Sequence, residues 1–440
     1  MGVTRDVAEF VVRTGFSDLP PEIVHEAKRD IVNIFGVAIY SAVDPSLKLL
    51  LDVFDAEGAN KRARVWGTGY RTSLQNAALA NGYIAHFEDN DDTHFPTIIH
   101  PSAPTVSAAF PIAEDAGASG RDLVTAVALG IEMCCRIGLS LHPWHYDEGW
   151  HITGTMGVFG SSLAAGKLLG LDAAQMVAAM GIAGTQAAGV REVFGSMSKP
   201  MHAGRAAQAG VLAAMLARSG FTSTEQILEG RRGIGAVLSG DRDLARATAD
   251  LGKRWEIKNN GLKPYSCGVV SHPSIDAAIE LRGRPGFNAD AIESIEATVH
   301  PLVPELMGKT DLKVGLEGKF SVYHCIAVGL VDGAAFPEQF SDAKVHDPRL
   351  AALRSKIRLV VDVKLPEDES HLSITLRDGT KLEHHVEHAT GAPENPLSDA
   401  RLNDKFMALA THTLSEPNAK ALLDRLWHID AIDDVSKVLG

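Results

Sequence analysis

The 440-residue sequence is 45 % hydrophobic and 22 % charged, the balance of a globular protein too long for one ordinary domain. Its net charge of −13 argues against nucleic acid as a partner, since phosphate binding needs a basic face, and any anionic substrate must be held by cations gathered locally. Four cysteines with no C-x-x-C pair exclude a disulfide scaffold and a zinc ribbon, and no apolar run reaches the ~18 residues of a membrane span. The opening Met-Gly-Val-Thr-Arg-Asp lacks the pattern of a secretory signal, so a cytoplasmic location with no membrane partner is expected.

Residues 1–43 place Val7, Phe10 and Val11, then Ile23, Ala27, Ile31 and Ile34, at helical spacing and predict two helices, the second opened by Pro20-Pro21. The glycine-rich Trp66-Gly67-Thr68-Gly69 has neither G-x-G-x-x-G nor a G-K-[ST] ending and is not a nucleotide loop. A small-residue helix over 73–85 leads into the densest polar stretch of the chain. Residues 86–104 hold four acids (Glu88, Asp89, Asp91, Asp92) and three imidazoles (His86, His94, His100) between alanine-rich segments. Buried charges are costly unless paired, so this stretch is either a solvated loop or a site. His100-Pro101-Ser102-Ala103-Pro104 predicts a rigid turn in which Ser102 caps a helix over 103–116 and holds His100 on a stiff element.

A helix over 121–139 follows, then the aromatic segment 142–151, ending in His151 before Thr153-Gly154-Thr155. A helix start of that kind is a natural anion seat. Beyond a helix over 172–189, a polar knot containing Lys199 and His202 precedes a helix over 206–216. The pattern changes after residue 258. Strands are expected at 292–299, 357–363 and 371–376, the last followed by the hairpin signal Arg377-Asp378-Gly379-Thr380, with helices at 272–282 and 319–332. From Asn395-Pro396 onward the period is helical again. The fold expected is mainly α: a large all-helical domain built from residues 1–258 and 396–440, with a smaller α+β unit, 259–395, inserted. His384, His385 and His388 are not read as a metal site, because a strand turns 384 and 388 to one face and 385 to the other.

Six blocks, in order, resemble the MmgE/PrpD family, which includes 2-methylcitrate dehydratases, cis-aconitate decarboxylases and an iminodisuccinate epimerase. They are Asp89-Asn90-Asp91-Asp92-Thr93-His94 with His100-Pro101-Ser102-Ala103-Pro104; Gly149-Trp150-His151-Ile152-Thr153-Gly154; Met201-His202-Ala203-Gly204-Arg205; Lys263-Pro264-Tyr265-Ser266-Cys267 with His272-Pro273-Ser274; Gly318-Lys319-Phe320-Ser321; and Asn395-Pro396-Leu397-Ser398-Asp399. The resemblance implies that the α+β unit is a lid over the active site, that the protein is a homodimer, and that it uses no metal or other cofactor. Carried over, the site positions are Asp89, Thr93, His100, His151, Lys199 and Lys263. Three departures set the chain apart from the decarboxylase branch, the first a spacing from Thr93 to His100 that is one residue longer. His324, beside Tyr323, stands where that branch has a catalytic tyrosine, and Gly268 stands near its lid histidine.

The family reactions make or quench negative charge on a carbon next to a carboxylate, which requires charge stabilisation and a placed base. His100 is expected as the acid/base with Asp89 orienting it, and Lys199, Lys263 and His151 as the clamp for substrate carboxylates. A structural hydrogen bond at the start of a helix is the alternative role for His100 and Asp89. Thr93, His202, Tyr265 and His324 are the expected substrate-binding residues. The expected activity is a cofactor-free lyase on a small di- or tricarboxylate, 2-methylcitrate dehydratase-like. The alternatives are an epimerase or cis-aconitate-type decarboxylase on the same scaffold, or a non-catalytic acid-binding protein.

Overall fold

A computed structural model describes residues 2–439. The molecule is mainly helical. The amphipathic periods at the N-terminus become helices Val3–Arg13 and Pro21–Ser41, the latter with Pro21 in its first turn, where a missing N–H costs nothing. Helices Leu74–Phe87, Ser102–Ala116, Gly120–Leu139, Ile152–Leu168 and Ser198–Arg218 pack on one another as the centre of the fold. Small residues set how closely they approach. A Cβ on Gly82 would stand 2.7 Å from the Gly204 Cα, so any larger residue there would wedge the first and last of these helices apart. The C-terminal helix Asp399–Ala410 returns onto Pro21–Ser41, where Phe406 covers Gly36 and Asp399 pairs with Arg29.

Residues between these segments form a four-stranded sheet in the order Ile357–Val361, Ile292–Val299, Ser370–Leu376, Lys381–Val386; the first pair is parallel and the others antiparallel. Alternation buries Ile292, Ile295, Ala297, Val299, Leu372, Ile374 and Leu376 toward helices His272–Arg282 and Val322–Val331, leaving the other face to solvent. Buried apolar side chains accordingly form two clusters. One draws on residues 7–262 and 397–438, the other on residues 265–376. Leu302 and Leu306 pack against both. Among the described residues no single helix is long and apolar enough to cross a membrane.

Three local expectations are corrected. The helix expected over 172–189 is Ala173–Gly184, and Gly189, at φ 132°, carries the chain out of the segment that follows. The helix expected at 206–216 begins at Ser198, so Lys199 and His202 lie in its first two turns, and Pro200 is tolerated because first-turn N–H groups have no helical partner. Ser102 does not cap its helix. Pro101 is already in the helical region (φ −78°, ψ −28°), and the Ser102 N–H and hydroxyl both donate to the Asp92 carboxylate, the N–H at 3.1 Å.

Candidate active site

The acidic stretch is buried and paired. Helix Leu74–Phe87 ends at Glu88, and Asp89 turns the chain with φ 53°, a left-handed conformation that aspartate tolerates better than most residues. Ile98, at φ 60°, turns it again; a β-branched residue there is under strain of about 1–3 kcal/mol, held by its surroundings. Between the two, the short strand Asp92–His94 pairs antiparallel with Asn260–Leu262, Thr93 opposite Gly261. Extending that pairing, the Lys263 N–H donates to the Asp91 carbonyl at 3.2 Å. This ladder carries Lys263 from a distant part of the chain to the acidic stretch.

Lys263 Nζ lies 2.7 Å and Lys199 Nζ 2.8 Å from the same oxygen, Asp89 Oδ1. Burial pushes the Asp89 carboxyl up, but the two ammonium groups overturn this and hold it well below the usual carboxylate range. Lys263 also donates to the Asp89 carbonyl at 3.1 Å and has Asp91 at 3.9 Å; burial lowers its affinity for a proton, yet the two carboxylates raise it overall. Lys199 is lowered, since burial and the neighbouring Lys263 outweigh its share of Asp89. Among the described residues Asp89 is the only hydrogen-bond partner of its ammonium, which rests over the rings of Phe194 and Phe320 at 5.3 and 5.2 Å.

His100 is oriented by backbone, in place of the expected Asp89. Its Nδ1 lies 2.5 Å from the Asp92 carbonyl and 3.2 Å from the Thr93 hydroxyl, and its own N–H donates to Thr153 Oγ1 at 3.0 Å. A carbonyl only accepts, so Nδ1 carries the hydrogen and the neutral ring presents its lone pair at Nε2. Burial, reinforced by Lys263, keeps this imidazole well below its ordinary pKa. His86 hydrogen-bonds through Nδ1 to Asp91 at 2.7 Å, and His151 through Nδ1 to His202 Nδ1 at 2.8 Å. Burial lowers both, and takes His202 to about 4. The Nε2 atoms of His86 and His151 are buried without a hydrogen-bond partner among the described residues.

Asp89, His100, Lys199 and Lys263 form the polar wall of a cavity of about 30 Å³, room for about one water molecule. Phe194, Leu306, Met307 and Phe320 close it. Beyond Phe194, Leu306 and Phe320 lies an open cavity of about 720 Å³ that also contains Arg191, Glu305 and Lys309. The remaining expected residues sit elsewhere. Thr93 is fully buried behind His100, and His202 is behind His151. The Tyr265 hydroxyl donates to Asp276, and its ring meets His272 edge-on within the second apolar cluster. His324 bonds the Gln339 carbonyl at 2.8 Å and accepts from Arg354 at 3.1 Å. Neither Tyr265 nor His324 lines this cavity; each is held by hydrogen-bond partners away from it.

Sequence reasoning missed three participants. Asp91 and His86 form a pair one layer behind His100, and Lys405 reaches in from the C-terminal helix to donate to Asn33 Oδ1, the Asn90 carbonyl and the Lys263 carbonyl at 2.6–2.7 Å. His86, His100 and His151 bring ring nitrogens within 4.8 Å of one another, a spacing a metal ion would accept. The ammonium groups beside them favour an anion at the same place.

Comparison with known proteins bears on this arrangement. Residues 5–247 match the MmgE/PrpD N-terminal domain and residues 265–429 the MmgE/PrpD C-terminal domain. The chain belongs to the MmgE/PrpD family of enzymes. It is similar to a cis-aconitate decarboxylase of Aspergillus terreus, 28 % identical over an alignment of 475 positions that takes in 100 % of this chain and 95 % of that protein. A cis-aconitate decarboxylase of Mus musculus is 26 % identical, covering 99 % of this chain and 92 % of its own length. The 2-methylcitrate dehydratase of Cupriavidus necator is 24 % identical over 87 % of this chain and 84 % of its own. In this MmgE/PrpD chain, the strand Asn260–Leu262 that delivers Lys263 lies between the two matched domains.

Proposed function

We propose that this MmgE/PrpD enzyme is a cofactor-independent lyase that removes a proton from the carbon next to a carboxylate of a small di- or tricarboxylate, in the manner of a 2-methylcitrate dehydratase. The observation that carries the reading is the tautomer of His100: a buried, neutral imidazole pinned through Nδ1–H to the Asp92 carbonyl, with its Nε2 lone pair beside two ammonium groups. A neutral imidazole next to fixed positive charge is an arrangement for taking a proton from carbon and stabilising the enediolate-like species left behind. Lys199, which spends one of its three N–H bonds on Asp89, supplies the remaining donors to the substrate carboxylate. Lys263, with two of its three N–H bonds spent on Asp89, and with Asp91 at 3.9 Å, contributes field more than contact. A positioned base is worth about 10²–10⁴-fold and each charge-stabilising donor about 10²–10³-fold, so neither alone suffices.

The ~30 Å³ cavity is too small for such an acid. We propose that residues 259–395 act as a lid whose apolar wall, Leu306, Met307 and Phe320, withdraws from Phe194 to admit substrate and then excludes water. Decarboxylation is the second reading, favoured by similarity over the whole chain to proteins named cis-aconitate decarboxylase. There the carbanion forms by loss of carbon dioxide into the same positive pocket, and a protonated side chain quenches it.

The test is a panel of di- and tricarboxylates, cis-aconitate and 2-methylcitrate included, followed by proton NMR in D₂O. Loss of an α-proton with formation of an alkene and an unchanged carbon count supports the first reading, and release of carbon dioxide the second. A panel in which nothing exchanges, dehydrates or decarboxylates defeats both.

A further inference from the structure

The solvent-facing side of the sheet, away from the cavity, carries a second histidine group. His371 stands directly opposite His385 on paired antiparallel strands, and Glu369, two residues before His371, shares its face. Glu369 Oε1 lies 2.8 Å from His385 Nε2 and 3.4 Å from His371 Nε2, and the three donor atoms fall within 4.8 Å of one another. The two imidazoles are stacked face to face, centroids 3.9 Å apart and planes 2° from parallel.

We propose that Glu369, His371 and His385 form a surface site for a divalent first-row transition ion of the zinc, nickel or copper type. With metal–ligand bonds of about 2.0–2.1 Å, neighbouring ligand atoms in a tetrahedral or octahedral shell stand about 3.0–3.4 Å apart. The separations of 2.8 and 3.4 Å span that range, and turning the two exposed rings out of their stack aims both Nε2 lone pairs at one ion. Two imidazoles and one carboxylate select such ions over magnesium or calcium. The His side chains are 49 % and 45 % exposed, which leaves the remaining positions to water. Only His385 comes from the conspicuous His-His-Val-Glu-His run; His384 accepts from Arg284 and His388 pairs with Asp368. The bound ion cross-links the edge strand Lys381–Val386 to its neighbour.

Titration calorimetry of untagged, chelator-treated full-length protein with zinc chloride at pH 7.5 tests the site. The expected result is stoichiometric uptake in the wild type and in His388→Gln, weakened at least ten-fold in His371→Gln and in His385→Gln. Circular dichroism and basal turnover of the variants, unchanged for residues so exposed, separate loss of the site from loss of fold. No uptake by the wild type, or equal uptake by wild type and His385→Gln, or loss confined to His388→Gln, overturns the proposal.

Discussion

Replacing Asp89 by Asn isolates the charge that holds the two lysines together. Asparagine tolerates the same left-handed backbone, so the φ of 53° is retained and only the carboxylate is lost. Two ammonium groups, now 2.7 and 2.8 Å from a neutral amide in a buried pocket, lose their common counter-ion. Breaking a buried ion pair from one side costs about 3–5 kcal/mol. The cost has a ceiling, because one lysine can escape by shedding its proton. At pH 7.4 that takes about three pH units at about 1.36 kcal/mol each, or roughly 4 kcal/mol. The expected loss for Asp89→Asn is therefore about 3–4 kcal/mol, read as a lower urea midpoint at unchanged m. It should shrink as pH rises toward 10, where a lysine sheds its proton more easily. Turnover should fall at least as far as for removal of a single charge-stabilising donor, about 10²-fold. A midpoint shift equivalent to less than about 1 kcal/mol would show that the ammonium groups do not depend on Asp89, and the electrostatic account of the pocket would fail.

His100→Gln should abolish exchange of the substrate α-proton in D₂O, a loss of about 10²–10⁴-fold, while a non-reacting carboxylate still binds; isothermal titration and NMR together separate the two effects. The buried imidazoles of His86, His100 and His151 are harder to protonate in the folded chain than in the unfolded one, so the unfolded state takes up more protons once pH drops below about 6.5. Their contribution to stability should accordingly be complete above that pH and decline as pH falls toward the folded-state values, seen as a decreasing melting temperature between pH 7 and pH 5. Lys405→Met deprives Asn33, Asn90 and Lys263 of a shared donor, leaving buried carbonyl oxygens unsatisfied at about 1–3 kcal/mol each. It should lower both the melting temperature and kcat, the latter because Lys263 loses its backbone anchor. Phe194→Ala should join the small cavity to the outer one and lower KM for bulky acids more than it lowers kcat, measured by steady-state kinetics on two acids of different size.

The helices were legible because their apolar periods are long: Ile23 through Ile34 and the alanine-rich runs around Gly82 and Gly160 leave little choice of structure. The sheet strands were legible from alternation, as in Ile292–Val299. The strand pair Asp92–His94 with Asn260–Leu262 was not, since three residues are too few to show a period. That pair joins Lys263 to Asp89, so the composition of the pocket could be read while its wiring could not. The sequence points to a carboxylate as the orienter of His100 because only side chains are visible in it. The group in contact is the Asp92 carbonyl, and every residue carries one of those. Tyr265 and His324 are expected at the site because they stand in or just after the family-like blocks that hold Lys263 and Lys319, His324 where the decarboxylase branch has a tyrosine. A two-residue step on an irregular segment, or five residues from Lys319 into the helix Val322–Val331, turns the side chain toward different partners.

The distribution of charge explains how a chain of net charge −13 makes a pocket for anions. The acids are spent in pairs, Asp89 on two lysines, Asp91 on His86 and Glu88 on Lys319. Asp92, pushed up to about 7 by burial and by the charge of Asp91, carries only part of a negative charge at neutral pH while it accepts from Ser102 and Asn260. Lys199 is the cation with donors left over on the cavity wall, and His100 the base with a free lone pair. The field seen by a bound carboxylate is thus set by which pairs are complete, not by a count of residues, and substitutions that leave the count alone but break a pair should be the damaging ones. Exchanging Glu88 for Gln and Lys319 for Met together should for that reason cost less stability than either change alone, a double-mutant cycle in which additive losses would contradict the pairing.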